Sequence, residues 1–206
     1  MQLADSELRA GGDGAAEHDA AQLGAAERNA RKLGVWLLVL VGMVFVMVVL
    51  GGLTRLTGSG LSMVDWRPVT GWLPPITDAE WRAVFGLYRE IPQYREINEG
   101  MTLDGFKSIF WLEYVHRLWG RLIGLAFALP FLYFLYRRLI SRKMAPWLIS
   151  MFILGGLQGV LGWYMVKSGL ALRTDVSQYR LTAHLVAAML IYGYMLWVAL
   201  SLLRGP

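Results

Sequence analysis

The sequence predicts an all-α integral membrane protein, a bundle of four transmembrane helices with a long periplasmic loop between the first and second. The first reason is composition, because 56% of the 206 residues are hydrophobic and the mean hydropathy is +0.44, which is too apolar for a soluble domain. The second is a set of uncharged stretches long enough to cross a bilayer. The third is the placement of Lys and Arg in short segments beside those stretches.

Four membrane spans are predicted, at about residues 33–53, 115–136, 146–166 and 181–203. The first, third and fourth each have at least 21 residues without Asp, Glu, Lys or Arg. That length crosses a hydrocarbon core of about 30 Å at about 1.5 Å per residue. The uncharged part of the second span is shorter, so we expect that helix to extend back through Arg121 towards His116.

Basic residues predict which side of the membrane each segment faces. Residues 137–143 contain four bases and no acid, and residues 28–32 contain three bases. Such segments stay in the cytoplasm, so both termini are expected there and the loop at residues 54–112 is expected in the periplasm. The bases form no groove-binding stripe, so the net charge of +5 does not indicate nucleic acid, and the lipid bilayer is the expected partner.

Residues 1–30 precede the predicted bundle, which occupies residues 31–206. They contain six acids and no apolar run, and this composition predicts a disordered cytoplasmic tail. His18 belongs to this tail and is not a candidate ligand.

The loop at residues 54–112 is unusually long and aromatic. It contains Trp66, Trp72 and Trp81, and the spacing of Thr and Glu at residues 77–80 predicts a capping box at a helix start. One interpretation is a solvated connector. An ordered lid or docking surface on the membrane interface is favoured, because loops of this length are more often functional.

The segment from Glu113 to Arg121 places an acid, an imidazole and two guanidinium groups at the outer end of the second span. Residues three and four apart are neighbours on a helix, so Glu113 stacks on His116 and Arg117. Ionisable side chains are costly in hydrocarbon, which favours a functional site. The alternative is a helix anchor, in which the arginines reach the interface and Glu113 is a first-turn acid beside the helix dipole.

A second histidine, His184, favours the functional interpretation. His116 and His184 each lie within a few residues of the outer start of their spans, so the two imidazoles lie at similar depth. Axial ligation of a haem iron requires such a pair. The alternative is a hydrogen bond between helices, and two ligands are too few for an ordinary zinc site. The chain has no cysteine, so redox chemistry requires a cofactor.

Basic residues near the outer interface are candidate partners of the two haem propionates. They are Arg55, Arg117, Arg121, Lys167, Arg173 and Arg180. A guanidinium binds a carboxylate through two hydrogen bonds, which favours arginine. The expected cofactor-binding cations are Arg55, Arg117, Arg121 and Arg180. The propionates are then expected to point outward.

Glycines recur at helical spacing on two predicted spans. Gly120 and Gly124 share one face of the second span, and Gly155, Gly159 and Gly162 form a stripe on the third. Close packing of a neighbouring helix is the favoured interpretation, and approach of a flat ring is the alternative.

Four segments closely resemble the haem A synthase family, in the form found in alphaproteobacteria and mitochondria. They are residues 51–66 (GGLTRLTGSGLSMVDW), 113–117 (EYVHR), 159–169 (GVLGWYMVKSG) and 176–184 (VSQYRLTAH). The segments agree in order, and the resemblance spans about residues 33–203. The family has eight membrane helices in two similar halves, and this chain resembles the amino-terminal half.

The resemblance implies oxidation of a ring methyl of haem O to the formyl group of haem A, for cytochrome c oxidase. It implies that His116 and His184 ligate the substrate haem and that Glu113 is the acid beside the reacting methyl. A carboxylate there can stabilise developing positive charge or accept a proton. Some bacterial relatives carry a cysteine pair in the first outer loop, and this chain has none.

The same resemblance implies a set of partners. The family's other half holds a haem b, so a second four-helix half or a homo-oligomer is expected beside this bundle. Haem O is the expected ligand, and haem O synthase and oxidase assembly factors are further implied partners.

Two other functions stay open. One is a bis-His b-type membrane cytochrome that only carries electrons, and the other is a non-catalytic assembly module whose histidines join helices. Glu113 distinguishes the enzyme from the cytochrome, because electron transfer needs no acid beside an iron ligand.

Overall fold

The chain is helical through most of the part that the structure describes. The computed structural model describes residues 2–67, 70–170 and 173–204, with side chains described from Leu23 onward. The helices in these ranges are α1 (Gln2–Leu56), α2 (Asp78–Arg89), α3 (Pro92–Glu96), α4 (Leu103–Tyr136), α5 (Ala145–Leu170) and α6 (Gln178–Arg204). No β-strand occurs in the described ranges, and the predicted all-α fold is confirmed.

Four of these helices are long and apolar enough to cross a membrane. They are Leu23–Leu56 within α1, and the whole of α4, α5 and α6. The prediction of four spans is therefore confirmed, and the chain is a multi-pass membrane protein.

Helix α4 begins well before the predicted start of the second span near residue 115. Thr102 is its N-cap, and the Thr102 hydroxyl accepts a hydrogen bond from the N–H of Gly105. Polar residues such as Asp104 occupy the first turns, so hydropathy alone places the start of this helix too late. The connection after α1 accordingly ends at Thr102 and not at residue 112.

Helix α1 is the central helix of the bundle. It packs against α4 and α6, and α5 packs against α6. Apolar side chains from all four spanning helices form one buried cluster near the α4–α5 connection, including Leu40, Phe131, Met151 and Met195. This cluster closes one end of the bundle, and Glu113, His116 and His184 lie towards the other end.

Residues 57–102, which we call the cap, connect α1 to α4 at that other end. Trp81 and Tyr88 of α2 are buried against Phe106 and Phe110 of α4. The rings pack edge-on or tilted, with the centroids of Trp81 and Phe110 5.0 Å apart. The cap is therefore attached to the first turns of α4, directly above the candidate site.

The predicted capping box at the start of α2 is confirmed. The Thr77 hydroxyl accepts a hydrogen bond from the N–H of Glu80, and the Glu80 carboxylate accepts one from the N–H of Thr77. The Glu80 carboxylate accepts hydrogen bonds from the backbone N–H groups of Thr77 and Ile76, and these bonds lower the pKa of Glu80 below its usual value.

The predicted tail at residues 1–30 overlaps the start of α1. Residues 23–30 are helical and continue directly into the first span. Residues 1–22, with His18 among them, lie outside the described side chains, so the prediction of a disordered tail stays a prediction there.

Candidate functional site

Glu113, the acid of the predicted site, lies within α4 and not at its N-terminal end. Because α4 starts at Leu103, Glu113 lies beyond the first two turns, where the helix dipole has little effect. Its side chain is buried, with 2% of the residue exposed. The interpretation of Glu113 as a first-turn acid is therefore wrong, and its partners must come from the surrounding structure.

Those partners belong to the cap. One carboxylate oxygen of Glu113, Oε2, accepts hydrogen bonds from the Ser62 hydroxyl at 2.7 Å and from the N–H of Met63 at 2.8 Å. The other oxygen, Oε1, accepts a hydrogen bond from Arg117, one turn further along α4. A buried carboxylate is tolerated when it is paired and hydrogen-bonded in this way.

Arg117 binds the same part of the cap through its other contacts. Its guanidinium donates to the carbonyl oxygens of Met63 at 2.8 Å and Asp65 at 3.1 Å. It also lies over the Trp66 ring, with the guanidinium carbon 5.0 Å from the ring centroid. Glu113 and Arg117 thus form one unit, which we call the Glu113–Arg117 clamp, that fixes residues 62–66 against α4.

Arg121 extends these contacts by another turn. It donates to the carbonyl oxygen of Arg67 at 2.8 Å, and it lies 5.7 Å from the centroid of the Trp72 ring. The Tyr114 hydroxyl donates to the carbonyl oxygen of Trp72 at 2.6 Å. Glu113, Arg117 and Arg121 lie along one side of α4, and the cap occupies that side, whereas His116 contacts α1.

His116 contacts α1. A Cβ atom added at Gly51 would lie 3.3 Å from His116 Nε2, which is tighter than most such contacts. The glycine at position 51 therefore leaves the space that the imidazole occupies. This contact places the His116 ring between α4 and α1.

His184 contacts α5 in a similar way. A Cβ atom added at Gly162 would lie 3.0 Å from His184 Cε1. The Gln158 side chain, one turn earlier on α5, donates to the carbonyl oxygen of His184 at 2.8 Å. The two imidazoles of His116 and His184 lie within electrostatic range of each other, so the fold brings both predicted ligands into one region.

The imidazole of His184 fits a ligand of a bound group. Its Nδ1 atom is buried and has no hydrogen-bond partner among the described residues, and an unpaired buried nitrogen is costly. In the described part of the chain no three His, Cys, Asp or Glu side chains are grouped to hold a metal ion. A zinc site of ordinary type lacks its ligands there, whereas two imidazoles suffice for a haem iron.

The glycines of α5 differ in what they face within this chain. Nothing lies within 4 Å of a Cβ atom added at Gly155 or Gly159, and only Gly162 of that stripe has a close neighbour. On α4, Gly120 faces the Met47 methyl group at 3.0 Å and Gly124 faces open space. No helix of the described chain packs against Gly155 or Gly159, so close packing at these two glycines stays a prediction.

The four predicted cofactor-binding arginines each have partners within the protein. Arg55 forms an ion pair with Asp175 and lines a cavity of about 240 Å³ whose lining includes neither Arg117 nor Arg121. Arg180 donates to the carbonyl oxygen of Tyr164 at 2.9 Å and covers the Tyr164 ring. Each of the four contacts protein groups.

Ser62 and Met63 are the contacts of the site that sequence reasoning missed. They lie about 50 residues from Glu113 in the chain, as the separations of 51 and 50 positions show. Neither residue type predicts a carboxylate partner on its own. The only signal was their place in the segment at residues 51–66, one of the four that resemble a known family.

Comparison with known proteins identifies a family and several similar sequences. A family model described as COX15-CtaA, cytochrome oxidase assembly protein, matches residues 34–206. The chain is 56% identical over 179 residues to a heme A synthase of Parvibaculum lavamentivorans, which covers 87% of this chain and 52% of that protein. It is 54% identical over 176 residues to a heme A synthase of Nitrosomonas eutropha, which covers 85% of this chain and 49% of that protein. No solved structure matches the chain.

The matched region contains the whole candidate site. The chain spans about half the length of the curated relatives it matches. Residues 34–206 include the Glu113–Arg117 clamp, both histidines and the glycines that they contact. The chain belongs to the COX15-CtaA family of cytochrome oxidase assembly proteins.

Proposed function

We propose that this chain is the substrate-binding half of a haem A synthase, which oxidises a ring methyl of haem O to the formyl group of haem A for cytochrome c oxidase. The observation that carries the proposal is the pair His116 and His184 in one region of the bundle, with the buried Glu113 one turn from His116. The relatives named heme A synthase, at 54–56% identity, support the same reaction.

In this proposal His116 and His184 ligate the iron of the substrate haem from two helices. Gly51 and Gly162 leave room for the two imidazoles, and the buried Nδ1 of His184, which has no hydrogen-bond partner among the described residues, is available to a bound group. The bound haem supplies the redox chemistry. The predicted propionate partners are again Arg55, Arg117, Arg121 and Arg180, although each also contacts protein groups.

Glu113 is the proposed catalytic carboxylate. Three donors fix its position in a buried site one turn from an iron ligand. A carboxylate held there stabilises positive charge that develops on a ring methyl, or accepts the proton of that methyl, more strongly than it could in water.

The proposal also specifies the membrane location of the protein, its orientation and its partners. The protein lies in the bacterial inner membrane with cytoplasmic termini, and the cap and the haem site lie near the periplasmic face. A second four-helix half or another copy of the chain supplies the haem b site, and haem O synthase and oxidase assembly factors are partners. Reporter fusions after Arg142 should then report cytoplasm, and fusions near Asp78 should report periplasm.

The pigment bound to the purified protein tests the proposed reaction. The absorption spectrum should show a low-spin haem with two histidine ligands, and extraction should release haem O or haem A. Haem B alone would favour the bis-His cytochrome. A preparation without haem would favour an assembly module in which the histidines only join helices.

A further inference from the structure

A cavity of about 270 Å³ lies between the cap, α4 and the last turns of α5. Its polar lining consists of Trp66 from the cap, Arg117 from α4, and Trp163 and Lys167 from α5, and Val and Leu side chains complete the walls. We call it the Trp66–Trp163 cavity. It is smaller than a pocket for a whole drug-sized ligand, so it suits one arm of a larger molecule.

The lining of this cavity is positively charged and contains no acid. Arg117 is fully engaged there, because its guanidinium binds Glu113 and two carbonyl oxygens of the cap. Lys167 differs from it. The Lys167 ammonium lies 5.1 Å from the centroid of the Trp163 ring, and it has no hydrogen bond or ion pair among the described residues. Lys167 is therefore the positively charged residue of this cavity that is available to pair with an anionic ligand.

The cavity adjoins the contacts of both histidines. Arg117 directly follows His116, and Trp163 directly follows Gly162, the glycine that the His184 ring contacts. Lys167 lies five residues beyond Gly162, which is about 7.5 Å along α5 towards the capped end of the bundle. A ring held between the two histidines would therefore have the cavity at its edge.

We propose that the Trp66–Trp163 cavity receives a carboxylate arm of the substrate haem and that the Lys167 ammonium pairs with that carboxylate. The inference rests on the proposed function, because it requires a haem between His116 and His184. The apolar walls surround the methylene groups of the arm, and the Lys167 side chain is exposed, so its ammonium is accessible to the carboxylate. Arg117 then forms a wall of the cavity and is not the main partner of the carboxylate.

The test compares haem b with its dimethyl ester, in which both carboxylates are blocked. The full chain is purified from haem-deficient cells in detergent, and each compound is titrated while the spectrum of the bis-histidine form is recorded. The wild-type protein should bind haem b about tenfold more tightly than the ester, as expected for loss of one charged hydrogen bond. Lys167→Met should remove most of that preference, and Lys167→Arg should retain it.

A matched control is available in Lys107. Its ammonium, on the second turn of α4, also lies near a tryptophan ring, 5.5 Å from the centroid of Trp81, and it does not line the Trp66–Trp163 cavity. Lys107→Met should leave the preference for haem b unchanged, whereas Lys167→Glu should make the ester the better ligand. If Lys167→Met binds both compounds as the wild type does, the proposal is overturned while the histidine ligation stands. If the wild type forms no bis-histidine complex, the proposed function fails as well.

Discussion

Glu113 and Arg117 lie one turn apart on α4 and together hold the same stretch of the cap, residues 62–66. Both side chains are buried, so their ion pair is largely removed from water. Loss of one partner of such a pair typically costs about 3–5 kcal/mol, because the other charge is left uncompensated. A substitution at Glu113 therefore affects the attachment of the cap as well as any chemistry at the haem.

Glu113→Gln should leave the haem bound and reduce product formation. The glutamine carbonyl oxygen still accepts hydrogen bonds from Ser62 and Met63, and both histidines are untouched. Turnover should fall by about 10²-fold to 10⁴-fold, as expected when a charged or acid–base group is lost. The measurement is the ratio of haem A to haem O in membranes that also contain a complementing second half. Wild-type levels of haem A would remove Glu113 from the mechanism.

Ser62→Ala separates the attachment of the cap from the charge of Glu113. It removes one donor to the carboxylate and leaves the Glu113–Arg117 ion pair in place. We expect a loss of about 1–3 kcal/mol in unfolding free energy, because a buried acceptor loses a partner, with most of the haem A production retained. Thermal unfolding and pigment analysis measure the two quantities.

Ser108→Ala is the control for that substitution, since Ser108 lies on an exposed part of α4 and its hydroxyl contacts only the helix backbone. Loss of haem A production in Ser62→Ala as severe as in Glu113→Gln would show that the position of the cap, and not the carboxylate charge, limits the reaction.

His116→Ala and His184→Ala should each abolish the low-spin spectrum of a bis-histidine haem. Each variant removes one axial ligand, and no third histidine is present among the described side chains to replace it. His18→Ala is the control and should retain the wild-type spectrum. An unchanged spectrum in both site variants would exclude the assignment of the ligands.

The membrane spans could be predicted from the sequence, and so could the side of α4 that carries the ionisable residues, because both depend on local patterns. Uncharged stretches mark the spans, and the helical spacing from Glu113 to Arg121 places these groups on one side of α4. What occupies that side could not be predicted. Ser62 and Met63 reach Glu113 only because the cap folds back on α4, and such a long-range contact leaves no periodic signal in the sequence.

The glycines of α5 also show that a local sequence pattern does not predict which neighbour a residue contacts. A glycine stripe on a membrane helix predicts close packing, because small residues let backbones approach. In the structure Gly162 faces a histidine ring, whereas Gly155 and Gly159 face open space. The residue type indicates that space is needed, but the packing of α5 against α6 alone decides which glycine provides it for His184.

Gly162→Ala should disturb the ligation of the haem without unfolding the helix. The new Cβ atom would lie 3.0 Å from His184 Cε1, so the imidazole must move or rotate. Alanine favours a helix over glycine by about 1 kcal/mol, and the bundle should therefore remain folded. We expect a shifted low-spin spectrum and weaker haem binding, measured by absorption and electron paramagnetic resonance spectroscopy on the purified protein.

Gly155→Ala is the matched control on the same helix. Nothing lies within 4 Å of its new Cβ atom, so it has the same helix-propensity gain and no contact with the histidine. Its haem spectrum should match the wild type, and its thermal stability should be equal or slightly higher. If Gly162→Ala behaves like Gly155→Ala in both measurements, the His184 ring does not depend on the space beside Gly162, and the orientation of that ligand must be set by the hydrogen bond between Gln158 and the His184 backbone.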